Sequence, residues 1–244
     1  MRNRLLDALS VEDMALVSPH LAQVDLERGR LLYDPGDPID VIYFPHDGVI
    51  SLMTLMENGA AIESATIGCE GALGLMAAVA PRQSLSRAIV QTPTRASRIG
   101  ANALHEAWRQ SPRVKDLIDR HTEALFGHAI QSVACNALHS VEARFCRWLL
   151  TCHDRISNDT VALTQEFLAD MLGVQRTTVT AVARGLQAEG AIRYRRGVVD
   201  ILDRAKLEAM ACECYGVIMR TYERLLPEGE TPLYRSESQR ERAH

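Results

Sequence analysis

The chain is poor in aromatic residues: 4 Phe, 6 Tyr and 2 Trp among 244. Its cores must therefore be built from Leu, Val, Ile, Ala and Met, which a 47 % hydrophobic composition allows. Long apolar runs are missing as well. None approaches the 18 residues of a membrane span, and Asp7, Glu12 and Asp13 interrupt the first segment, so neither a secretory leader nor a spanning helix is expected. The chain is expected in the cytoplasm, without membrane association, and its six cysteines (69, 135, 146, 152, 212 and 214) reduced rather than paired. No low-complexity linker or internal repeat stands out. Charge of one sign is lacking too: the net charge is −4, which excludes no partner, because binding depends on where charge sits.

What is present changes character near residue 100. From about 22 to 100 the runs are short and strand-like, separated by PGDP, Asp47-Gly48 and Asn58-Gly59, which are turn signals. Many short strands with Gly-rich turns predict an antiparallel barrel or jelly roll. Beyond it the period is helical. Pro112 can open a long helix, since its missing N–H would be orphaned there anyway. Val114, Ile118, His121, Leu125 and Ala129 repeat along it every three or four residues, a stripe read as a dimerisation face in preference to packing within the chain. EARFCRWLLTCHDRI predicts a further helix, AIRYRRGVVDILD two short strands about Arg196-Gly197, and RAKLEAMACECYGVIMRTYERLL a final helix before a polar tail. The expected class is α+β. It comprises a β-roll (1–110), a connecting helix (111–135), a winged helix-turn-helix (136–215) and a helix end with a loose tail (216–244).

The stretch TQEFLADMLGVQRTTVTAVARGL carries the function. Its apolar positions change phase across Gly173. Leu168, Ala169 and Leu172 share the face of a first helix, with Thr164 as cap and Glu166 in the first turn. Gly173 can take positive φ, Val174 plugs the angle, and Val179, Val182 and Leu186 form the buried face of a second helix. These are the offsets of a helix-turn-helix, and the following hairpin makes it winged. Between 175 and 196 the chain has five arginines and one acid. Gln175, Arg176 and Thr177 at the start of the second helix can meet base edges, Arg176 matching guanine O6 and N7, while Thr180 can touch a thymine methyl or a phosphate. Arg184 and the wing residues Arg193, Arg195 and Arg196 suit phosphate.

Together, LLYDPGDPIDVIYFPHDGVISL and LTQEFLADMLGVQRTTVTAVARGLQAEGAIRYRRG, in this order, resemble the Crp/Fnr family of bacterial transcription regulators over roughly residues 5–215. The resemblance implies a cytoplasmic homodimer joined along the long helix. It would bind a palindromic double-stranded DNA site and contact RNA polymerase where it activates. Family members read DNA with R-E-x-x-x-R. Here Arg176 matches, but Thr177 and Ala181 replace the Glu and second Arg, which implies a different operator. The β-roll resembles a cyclic-nucleotide-binding domain. Gly71 and Gly74 match the cassette turn, but Ala72 falls at the ribose-binding Glu and Ser86-Arg87 at the phosphate-binding Arg-Ser pair. Glu70 and Arg87 could substitute after a local shift. A cyclic nucleotide, another small effector and effector-independent action all stay open, and no cofactor is expected. Without a cysteine before Cys69, the family's N-terminal iron–sulfur chemistry is not expected.

The remaining candidates read more blandly. Cys212-x-Cys214 falls in a helical stretch, where side chains two apart diverge, so core packing is favoured over a metal site. His121 and His128, one heptad apart, suit stacked or hydrogen-bonded interface histidines better than a metal, haem or pH sensor. His46 lacks the clustered ligands of a cupin-type barrel enzyme. Such an enzyme, and an adaptor using its winged helix on protein, are the competing readings.

Overall fold

The computed structural model describes residues 3–156 and 158–226. The tail expected over 227–244 lies outside the described residues. Two short helices, α1 (Arg4–Asp7) and α2 (Val11–Val17), lead into the strands. Asn3 and Ser10 cap them through side-chain oxygens, each accepting from backbone N–H groups of the first turn. Seven strands follow: β1 (Ala22–Leu26), β2 (Leu31–Tyr33), β3 (Val41–Pro45), β4 (Ile50–Leu55), β5 (Ala61–Ile67), β6 (Arg87–Val90) and β7 (Thr94–Gly100). They form two antiparallel sheets, β1-β7-β3 and β2-β6-β4-β5. The two Gly turns do different work. Asn58-Gly59 closes the β4–β5 hairpin, while Asp47-Gly48 carries the chain from one sheet to the other. Leu26, Tyr33, Ile50, Ile67, Ala88 and Val90 fill the roll's interior.

Helix α3 (Ala101–Gln110) ends at Ser111, whose hydroxyl caps the 27-residue α4 (Pro112–Leu138) by accepting from Val114 N–H. The C-terminal half holds α5 (Val141–His153), β8 (Thr160–Ala162), α6 (Gln165–Leu172), α7 (Arg176–Ala188), β9 (Ile192–Arg195), β10 (Val198–Ile201) and α8 (Arg204–Met210). β8 is a third wing strand that the sequence pattern did not reveal, pairing with β10 on the side opposite β9. Phe145, Trp148, Leu149, Leu168, Val179, Leu186 and Val199 form one core.

The single final helix expected over 204–226 is two. α8 stops at Met210, Ala211 is extended, and α9 (Cys214–Leu225) starts afresh. Rather than trailing away, α9 turns back. Its Ile218, Met219 and Tyr222 join Leu5, Phe44, Leu104 and Ile118 in a core beneath the β-roll. The two halves also touch directly. α6 packs on β5, and a Cβ placed at Gly173 would come 3.2 Å from Ile62 Cδ1.

Candidate nucleic-acid interface and effector cleft

The corner between α6 and α7 is built from local chemistry. Thr164 Oγ1 accepts the Phe167 N–H at 3.2 Å and starts α6. Gly173 ends it at φ +64, a left-handed conformation that favours glycine. Its N–H donates to Asp170 O (3.2 Å), and the next N–H, of Val174, reaches back to Ala169 O (2.9 Å). This paired closure satisfies carbonyls the helix end would leave orphaned. Val179 and Leu186 are buried on α7 as expected. The third inward position is Ala183, with Val182 half-buried, because the helix meets the core one residue further round.

Gln175 precedes α7 without capping it, so no side chain covers the first-turn N–H groups. Gln175, Arg176, Thr177 and Arg184 are exposed, and Thr180 is half-buried with its hydroxyl donating to Arg176 O at 2.9 Å. Arg176 is held by an ion pair to Glu166 across the corner, both side chains more than half exposed. The wing turns at Arg196-Gly197, with φ of 50 and 76, the paired positive values of a two-residue hairpin. Tyr194 pins the wing: its OH donates to Leu163 O at 3.1 Å and its N–H to Gln187 Oε1 at 2.8 Å. Arg193, Arg195 and Arg196 project into solvent, Arg193 lying 3.9 Å from Asp200. A groove of about 450 Å3 separates α6, α7 and wing, lined by Gln165, Glu166, Arg176 and Arg196 among others.

The stripe expected to face a second subunit faces this chain instead. Val114, Ile118 and His121 are buried against the β-roll and its flanking helices, and Leu125 and Ala129 are half-buried. Gly71 belongs to this packing: a Cβ there would sit 2.5 Å from His121 Nε2, which accepts the Ala72 N–H at 3.2 Å. Burial pushes the His121 imidazole down to about 4, so the ring stays neutral and can accept that bond. The large exposed apolar residues of α4 are Phe126, Ile130 and Val133, at 67, 55 and 72 % exposure, and Leu138 at its C-terminal end. Phe126, Ile130 and Val133 share one flank of the helix, beside the buried stripe, that the roll leaves uncovered. The second heptad histidine, His128, is buried edge-on against the Tyr222 ring.

Between the roll and α4 lies a cleft of about 850 Å3. Ile39, Leu52, Leu73 and Gly74 form part of its mostly apolar wall, with Arg82, Gln83, Ser84, Ser86, His121 and Thr122 as its polar groups. Of the four expected effector residues only Gly74 lines it. Ser86 faces the cleft, and Arg87, the next residue, turns to the other side, as alternation along a strand requires. Its guanidinium makes a bidentate pair with Asp34 at 2.9 and 2.8 Å. Glu70 points away from the cleft into the junction of the two halves. There Arg155 reaches its oxygens at 2.9 and 2.5 Å, and Gly68 N–H donates to Oε1. Burial opposes the charge on Glu70, but the Arg155 charge and hydrogen bonds prevail and hold the carboxyl below its ordinary range. Nearby, Trp148 Nε1–H donates to Glu63 at 3.0 Å and Ser51 Oγ–H at 2.5 Å, while burial pushes that carboxyl up. Neither Trp148 nor Arg155 has a local signature as a contact of the β-roll. His46, compared above with barrel-enzyme ligands, has Nε2 2.8 Å from Ser97 Oγ.

Residues 143–210 match the family model of the Crp-like helix-turn-helix domain, and residues 23–111 that of the cyclic nucleotide-binding domain. Over 185 residues the chain is 22 % identical to the global nitrogen regulator of Nostoc sp., covering 72 % of this chain and 82 % of that one. Over 205 residues it is 23 % identical to the CRP-like cAMP-activated global transcriptional regulator of Mycobacterium tuberculosis, covering 81 % and 92 %. The fold is similar to that of FixK2 from Bradyrhizobium japonicum, with a TM-score of 0.67 and 16 % identity over 79 % of this chain and 98 % of that one.

Proposed function

Because the chain belongs to the Crp/Fnr family of DNA-binding transcription regulators, we propose that it acts as a homodimer on a palindromic site, reading bases with α7 and gripping phosphate with its wing. The observation that carries this reading is the uncapped, outward N-terminus of α7 beside the arginine-bearing wing. Bare N–H groups and the positive end of the helix dipole favour a phosphate there. Gln175, Arg176, Thr177 and Thr180 are the proposed base-facing residues, and Arg184, Arg193, Arg195 and Arg196 the phosphate-facing ones. Glu166 holds Arg176 in the free protein, so reading guanine requires Arg176 to exchange one anionic partner for a base edge.

The face we assign to the dimer is Phe126, Ile130 and Val133, at i, i+4 and i+7 of α4. Two copies joined there would present two α7 helices to successive major grooves, and an activator would add contact with RNA polymerase. The cleft beneath α4 is the proposed effector site. Since Glu70 and Arg87 are engaged elsewhere, its ligand is a small molecule with a largely apolar body, contacted by Arg82, Ser84, Ser86 and Thr122, rather than a cyclic nucleotide held by a Glu and an Arg. A cell interior is the matching location, and a catalytic step has no part in this reading.

Selection of duplexes from a random pool, followed by salt titration of the winner, tests the proposal. One enriched palindrome is expected. Arg176→Ala should then lose about 1–3 kcal/mol on that site and little on random duplex. Arg195→Ala or Arg196→Ala should weaken both and flatten the salt slope by about one unit. A dimer that enriches no site, or wing variants that change base preference, would overturn it.

A further inference from the structure

The C-terminal end of α4 carries a second cluster, away from both the DNA face and the cleft. Cys135 and His139 stand one helical turn apart and share a face. Across from them, the break between α8 and α9 changes what Cys212 and Cys214 can do. Cys212 lies in the non-helical link and Cys214 opens α9, so their side chains converge instead of diverging as they would on an unbroken helix. The three sulfurs and a ring nitrogen of His139 all lie within 4.8 Å of one another.

The spacing is that of a coordination shell. A tetrahedral zinc centre with bonds of about 2.0–2.3 Å has donor-to-donor edges of roughly 3.4–3.8 Å. Two edges are already that length: Cys135 Sγ to Cys212 Sγ and Cys214 Sγ to His139 Nδ1, each 3.5 Å. The surroundings suit the same chemistry. His139 Nε2 lies 3.0 Å from Glu213 Oε2, so the carboxylate orients the ring and leaves Nδ1 for the cluster, the usual outer partner of a metal-bound histidine. Gln131 Nε2–H donates to Cys214 Sγ at 3.0 Å. The charge of Arg144 acts on both Cys135 and Cys212, and the Nε atoms of Arg144 and Arg147 are buried without a hydrogen-bond partner. Cationic neighbours offset the negative charge that three thiolates bring to a divalent ion.

We propose that Cys135, His139, Cys212 and Cys214 form a closed site for one zinc-class divalent ion, clamping the end of α4 to the α8–α9 corner. Three thiolates and an imidazole select a borderline-soft, tetrahedral ion, and four protein ligands leave no open position for catalysis. The site is structural. It ties the end of the connecting helix, at the break between α4 and α5, to the α8–α9 corner.

The test uses the full-length chain, reduced and stripped of metal, titrated with Co2+ and then Zn2+. One Co2+ per chain is expected, with a thiolate-to-cobalt charge-transfer band and tetrahedral ligand-field bands that Zn2+ abolishes. Cys135→Ser and Cys212→Ser should weaken binding at least 100-fold. Glu213→Gln should weaken it about 10–100-fold. Cys146→Ala, a buried thiol in the other core, should leave the bands unchanged. Absence of the charge-transfer band in the reduced wild-type chain, or its survival in Cys212→Ser, overturns the proposal. A native Cys135–Cys212 disulfide in a chain that takes up no ion overturns it in favour of a redox pair.

Discussion

Replacing Arg155 by Met tests whether the junction of the two halves is held by the ion pair described above. The substitution keeps an unbranched side chain but removes the guanidinium that reaches both Glu70 oxygens and, at 2.8 Å, Thr66 Oγ1. Both partners are almost wholly buried, at 5 and 3 % side-chain exposure, so water does not replace the lost charge. Removing one partner of such a pair costs about 3–5 kcal/mol, a large share of the roughly 5–15 kcal/mol that holds a domain together. For a chain of this size that lowers Tm by about 6–20 °C. Glu70→Gln in the same chain removes the stranded charge, so the double variant should recover more than half of the loss. Urea unfolding followed by the fluorescence of Trp148, which sits on Glu63 in the same junction, reads the difference. The pH dependence adds a check of sign. In the wild type the Glu70 carboxyl is held below its ordinary range, so its contribution is present above about pH 4.5 and is lost as pH falls through the lowered value. In Arg155→Met the opposing charge is gone and burial faces only the Gly68 and Glu70 backbone hydrogen bonds, so the carboxyl should move up and acidification should relieve the variant before it harms it. A loss below about 1 kcal/mol, or a double variant no more stable than Arg155→Met, refutes a pair that holds the junction.

His121 supplies a second titration. Its folded value of about 4 lies below the free value near 6.5, so its contribution is full above pH 6.5 and falls between 6.5 and 4 by up to about 1.4 kcal/mol per pH unit. His121→Gln keeps an acceptor for Ala72 N–H and should flatten that slope; an unchanged slope assigns it to other groups. If the chain dimerises as proposed, Phe126→Asp should sediment as a monomer at micromolar concentration where the wild type sediments as a dimer, and a variant dimer that persists places the subunit interface on another face. Gly173→Ala forces a Cβ into the left-handed region at about 1–2 kcal/mol, while Gly173→Asn, which tolerates that region, should lose less. Equal thermal shifts for the two would show that the close approach of Ile62, not backbone conformation, governs the site.

How much of this was legible in the sequence depends on how local the cause is. The α6–α7 corner was readable because each part acts within a few residues: the Thr164 cap, the Gly173 conformation and the inward Leu168 and Val179. The wing turn at Arg196-Gly197 was readable for the same reason. The α4 stripe was misassigned because periodicity shows that a face is apolar, not what covers it. Val114, Ile118 and His121 meet the roll of their own chain, while Phe126, Ile130 and Val133, spaced by the same rule, stay exposed. Glu70 and Arg87 carried chemistry suited to an effector, but their partners Arg155 and Asp34 come from distant segments. The cysteine cluster was hidden most deeply. It depends on a break at Ala211 inside a helical pattern and on α9 folding back onto α4.

The contact between Gly173 and Ile62 bears on how such chains can be recombined. The residue that turns one helix into the next also rests against strand β5, and the space it leaves is occupied by a side chain of the other half. The reading module is thus fitted to its own β-roll and is not a portable part. A chimera joining residues 140–210 to a foreign roll inherits the corner but not its seat. A foreign roll would have to present, at the equivalent of Ile62, a side chain whose end reaches the donor's glycine as Ile62 Cδ1 does here.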